Sequence, residues 1–64
     1  MATSWEIWYW NTDLGVLSGE KPQRVCDTLK AAVEYGDKLW QKLDRNGMSD
    51  MIGVHIIEIE SEDY

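Results

Sequence analysis

Ser4-Trp5-Glu6-Ile7-Trp8-Tyr9-Trp10 holds three of the chain's four tryptophans. Aromatic side chains fit a pleated, half-buried surface, so this run predicts a β-strand. Alternate residues of a strand point to opposite faces. Trp5, Ile7 and Tyr9 then share one face, and Glu6, Trp8 and Trp10 share the other. Both faces are aromatic. A chain of 64 residues is at most one domain, 1–64, and a domain of that size buries only about 60% of its unfolded surface. One face is expected to cover the core, which leaves Trp8 and Trp10 for another surface.

Small domains usually need a disulfide, a metal or association to supplement the core. Cys26 is the only cysteine, so no disulfide can form within the chain. With one histidine and one cysteine, a structural zinc site lacks its ligands, and no metal or cofactor is expected. Dense aromatic packing and self-association remain, and a twofold homodimer is the simplest expectation.

The strongest periodic segment runs from about Pro22 to Leu43 and predicts a helix. Val25, Leu29, Ala32, Val33, Gly36, Leu39, Trp40 and Leu43 fall within an arc of about 120–140°. Truncating Leu29 is expected to cost about 2–5 kcal/mol if that arc is buried. Pro22 suits a first helical position, and Asn46-Gly47 suits a stop with Gly47 at positive φ. Gly36 within the apolar arc is explained by a close neighbour, a backbone or the ring of Trp5 or Tyr9, and equally by a tolerated glycine with no special role.

Met51-Ile52-Gly53-Val54-His55-Ile56-Ile57-Glu58-Ile59-Glu60 is rich in β-branched residues and predicts a final strand. Its His55, Ile57 and Ile59 face stays apolar throughout and is the expected core face. Between these elements, Asn11-Thr12-Asp13 is turn-prone, and Leu14-Gly15-Val16-Leu17 is a candidate short strand in an antiparallel hairpin with the first. The predicted class is α+β. Two or three strands form a small sheet in the order β-(β)-α-β, with one long amphipathic helix on one face. First and last strands paired directly across the helix are expected to be parallel.

The net charge is −6, with 12 acidic against 6 basic side chains. Direct binding to nucleic acid or an anionic membrane calls for a basic patch, so neither is expected. An acidic surface suits a basic protein partner, and equally suits solubility. Glu58, Glu60, Glu62 and Asp63 form an acidic end to the last strand, with Glu6 near them if the strands pair. These four, with Glu6, Trp8 and Trp10, are the candidate binding residues. No basic, apolar leader opens the chain and no run approaches the ~20 apolar residues of a membrane span. With one free thiol, a cytoplasmic location is expected.

No P-loop, GxGxxG, CxxC or nucleophile elbow is present. Asp44-Arg45-Asn46-Gly47-Met48-Ser49-Asp50 fails as a calcium loop, because glycine falls at the fourth position and not the sixth. The β-α-β layout is similar to that of the small tautomerases, whose base is an N-terminal proline. This chain opens Met1-Ala2 and its one proline is Pro22, so that chemistry is not expected. His55 reads as a packing histidine and Cys26 as a buried, inert thiol.

The reading that follows is a small, acidic, non-catalytic protein-interaction module. Tryptophan anchors would give affinity and acidic groups would steer association. In size, charge and composition the chain is similar to phage-encoded inhibitors that occupy the nucleic-acid groove of host defence proteins. That resemblance implies a basic nucleic-acid-binding protein as partner. Two alternatives stand beside it. One is an oligomeric small-ligand binder or enzyme, with Trp8 and Trp10 lining a pocket between subunits and His55 or Glu58 as the polar group. The other is a structural accessory subunit that uses the same aromatic face as a permanent interface.

Overall fold

A computed structural model describes residues 2–61. The tryptophan run lies inside β1 (Ala2–Asn11), which is followed by β2 (Val16–Ser18), β3 (Arg24–Cys26), α1 (Leu29–Arg45) and β4 (Ile52–Ser61). The class is α+β, with one helix against one antiparallel sheet of four strands. β1 is central. β4 pairs along its whole length, from Ala2 opposite Ser61 to Asn11 opposite Ile52. β2 and β3 share the other edge end to end, with Trp10 opposite Leu17 and Glu6 opposite Val25.

β3 is the strand missing from the sequence reading. The predicted helix began at Pro22, but the chain from Arg24 to Cys26 is extended and pairs with Trp5–Ile7. The helix starts seven residues later, at Leu29. Thr28 is its cap: an extended residue (φ −129°, ψ 149°) whose Oγ1 accepts from Ala31 N at 3.1 Å. A threonine before the first helical turn satisfies one of the orphan N–H groups there. Pro22 thus precedes a strand, where its fixed φ is equally at home. The C-terminus is as expected. Met48 N donates to Leu43 O, Gly47 N donates to Asp44 O, and Gly47 sits at φ 72°. These two bonds make a Schellman stop, which favours glycine at the left-handed position.

β1 and β4 run antiparallel, not parallel as expected. The helix crosses over, but its crossover joins β3 to β4. Those two strands run in the same direction on either side of β1, because both are antiparallel to it. Adding β3 supplies the missing reversal.

The antiparallel register also decides the faces. Ile7 opposes Ile56 and Tyr9 opposes Val54, so these four share a face. That face meets α1: a methyl placed on Gly36 would lie 3.4 Å from Ile56 Cδ1 and 3.5 Å from Val54 Cγ1. These are ordinary van der Waals distances, so Gly36 faces β4 aliphatic side chains and not a ring of β1, and the position does not require glycine. The core is Ile7, Cys26 and Ala32, with Trp5, Tyr35, Leu39, Val54 and Ile56 packed round it. Cys26 is buried as expected, though on β3. His55, Ile57 and Ile59 were expected to face the core and lie on the opposite side. Within the helix, the buried edge is Ala32, Gly36 and Leu43. Leu29 is 52% exposed, Val33 51% and Trp40 44%, so half of the apolar arc overhangs the sheet.

Thr12 ties the loop after α1 to the β1–β2 turn. Its Oγ1 donates to Met51 O at 2.9 Å, and its N donates to the same oxygen at 3.1 Å. Among the described residues, no helix is long and apolar enough to cross a membrane.

Candidate functional site: the open face of the sheet

α1 covers one face of the sheet only. The other face is assembled from three elements by the register. Reading across it, Val25, Glu6 and Ile57 form one row, Trp8 and His55 the next, and Leu17 and Trp10 a third, with Ile59 beside Ser4. Trp8, Trp10, Leu17, Ile57 and Ile59 are half-buried, while Val25 and His55 are exposed.

Two contacts order the tryptophans. Trp8 Nε1 donates to Glu6 Oε1 at 3.1 Å. The residues are two apart on a strand and so stand on the same side. The bond satisfies the indole N–H and leaves the ring's apolar body uncommitted. Trp10 stacks on His55, with ring centroids 5.1 Å apart and planes at 28°. Gly53 lies directly opposite Trp10 and has no side chain to compete for the space above it. The result is an aromatic platform with one carboxylate at its margin.

The candidate binding residues thus divide. Glu6, Trp8 and Trp10 come together on the open face. Glu58 and Glu60 do not join them: they oppose Trp5 and Thr3 and belong to the helix side, where both are exposed. Glu62 and Asp63 lie outside the described residues. Sequence reasoning missed Leu17, Val25, Ile57 and Ile59 as neighbours of the tryptophans. The signal was present in the alternation of Ile57 and Ile59 with Glu58 and Glu60. It needed the strand pairing to show which set met α1.

A separate open cleft of about 450 Å³ lies between β3 and α1, lined by Arg24, Asp27, Glu34, Tyr35 and Lys38 among others. Arg24 sits over the Tyr35 ring, 5.1 Å from its centroid. This cleft contains neither Trp8 nor Trp10. Its two basic and two acidic side chains balance, so it carries no strong preference for an anion or a cation. Among the described residues, no three His, Cys, Asp or Glu side chains gather into a metal site. No family model, curated protein or solved structure matches the chain.

Proposed function

We propose that this chain is a small, acidic, non-catalytic protein-interaction module whose docking surface is the open face of the sheet. The observation that carries the reading is the one-sided cover: α1 packs on the Ile7–Ile56 face, while Trp8 and Trp10 stand on the other with Leu17, Val25, Ile57 and Ile59. Contiguous apolar surface rimmed by polar groups marks interaction sites, and tryptophan is enriched at their energetic centres. The charge of −6 favours a basic partner and speeds encounter with it. The partner proposed is a nucleic-acid-binding protein whose basic groove the module occupies, as an inhibitor, in the cytoplasm. Glu6 is the acidic group at the anchor itself. Glu58 and Glu60 act at longer range through the field.

The test is affinity capture from a bacterial lysate at low and high salt, with the captured protein identified by mass. A basic nucleic-acid-binding protein, released as salt rises and displaced by added nucleic acid, is the expected result. Exposed charges are screened beyond about 8 Å at physiological ionic strength, so capture indifferent to salt contradicts electrostatic steering. Capture of nothing but the chain itself contradicts a foreign partner.

A further inference from the structure

β4 is a ten-residue edge strand, paired on one side only among the described residues. Its free side has a definite phase. Antiparallel partners alternate between hydrogen-bonded and non-bonded pairs. The Thr12 N to Met51 O bond continues the β1–β4 ladder in the phase that turns odd-numbered β4 residues toward β1. The bond from Gln23 N to Ile7 O, on β1's opposite edge, agrees with it. The N–H and C=O groups of Ile52, Val54, Ile56, Glu58 and Glu60 therefore point outward. Long bare edges of this kind invite pairing with another strand, and natural proteins normally blunt them.

The helix overhangs the same edge. Tyr35 meets Arg24 of β3. At 100° per residue, Leu29, Val33 and Trp40 lie about 120–160° round the helix from Tyr35, hence away from β3 and beyond β4. All three are about half exposed. A bare strand edge and an apolar helix stripe thus share one flank of the molecule.

We propose that the chain forms a twofold homodimer by antiparallel pairing of β4 with β4 of a second copy, centred on Ile56. Two observations select a second copy in that register. The first is spacing. α1 lies over β1 and β4, so a twofold axis on the β4 edge sets the two helices about two strand spacings apart, ~9.6 Å. Helices pack at about 8–10 Å, so the stripe of one copy meets that of the other. The two elements also agree on the position of the axis. Ile56 is the midpoint of the outward-bonding residues, and Gly36, central in the Leu29–Trp40 stripe, lies against Ile56. The second is charge. Centring on Ile56 sets Glu58 opposite Val54 of the other copy, and the two Glu58 residues end about 13 Å apart along the strands. That exceeds the ~8 Å screening length. Parallel pairing, or centring on Glu58, would oppose the two carboxylates directly. This dimer leaves Trp8 and Trp10 free, so it stands or falls separately from the foreign-partner reading.

Sedimentation equilibrium of the full chain tests it, with Val33→Glu, Trp40→Glu and Trp8→Ala alongside. The wild type and Trp8→Ala are expected at the mass of two chains. Either glutamate is expected to raise the dissociation constant about a hundredfold or more, with the circular dichroism unchanged, because both sites are exposed in the single chain. A cross-link fixes the register. In a Cys26→Ala background, a mixture of His55→Cys and Ile57→Cys chains should oxidise to a disulfide-linked pair faster than either alone, since those positions oppose each other across the axis. A wild type that sediments as one chain at 100 μM overturns the proposal. So does a dimer that survives both glutamates, one lost in Trp8→Ala, or a mixture that links no faster than its components.

Discussion

Ile7 and Trp8 are neighbours on β1, and they differ in what surrounds them. Ile7 is fully buried against Cys26 and Ala32, beneath the helix. Trp8 is half-buried on a face that α1 never reaches, and its indole is held by Glu6 of its own strand. A β-strand offers both sides equally, so the difference arises from where the helix lands. Two residues small enough to admit the sheet, Ala32 and Gly36, bring α1 down on the Ile7 side. One face then holds the fold together, and the other carries the larger aromatic surface outside the core.

The largest expected effect comes from Ile7→Ala. Its side chain has no exposed surface, so truncation should cost about 2–5 kcal/mol in urea unfolding. In a domain of marginal stability that is a large share of the total. A loss below about 1 kcal/mol would mean that the covered face is not the core. Thr28→Ala should follow, at about 1 kcal/mol for the lost cap. A variant as stable as the wild type would place the helix start elsewhere. Leu29→Ala is expected to be milder than either, below about 1 kcal/mol at concentrations where the chain is monomeric, because its side chain is 52% exposed. A loss like that of Ile7→Ala would restore the helix face read from periodicity. Gly36→Ala should be the smallest effect and the only gain, about 0.5 kcal/mol. The helix recovers part of the ~0.5–1 kcal/mol penalty of glycine, and the new methyl meets Ile56 Cδ1 at 3.4 Å, an ordinary van der Waals contact. A destabilised Gly36→Ala would show that α1 has no room to give, and Gly36→Leu should be destabilised in any case.

The two faces were unequally legible in the sequence. The alternation of Trp5, Ile7 and Tyr9 against Glu6, Trp8 and Trp10 is local, and it survives intact in β1. The stop at Asn46-Gly47 is local too, and its bonds follow from it. What local pattern could not decide was which face of β4 meets α1. Val54 with Ile56 and Ile57 with Ile59 are equally apolar pairs, and the choice depends on the register with β1. β3 was hidden for a related reason. Val25 fits the helical arc by spacing, yet three residues paired with Trp5–Ile7 are enough to hold the segment extended. Tertiary pairing there outweighs a periodicity shared with the helix. The cap at Thr28 was visible in principle, since threonine ahead of an apolar period is a start signal. Pro22 offered an earlier start and masked it. Of the candidate site, the tryptophans and Glu6 were legible. The dispersal of Glu58 and Glu60 to the other side was not, because strand parity has no meaning for a site until the partner strand is known.

The central claim is that stability and binding are divided between the faces. The most direct test is the Trp8→Ala/Trp10→Ala double variant, with urea unfolding and lysate capture measured on the same preparation. Each half-buried indole should contribute about 1 kcal/mol, so the variant should remain folded with a loss of about 2 kcal/mol, while capture of the partner falls to background. Capture at the wild-type level by a folded double variant would contradict the account. So would a double variant that cannot fold, which would make the open face part of the core.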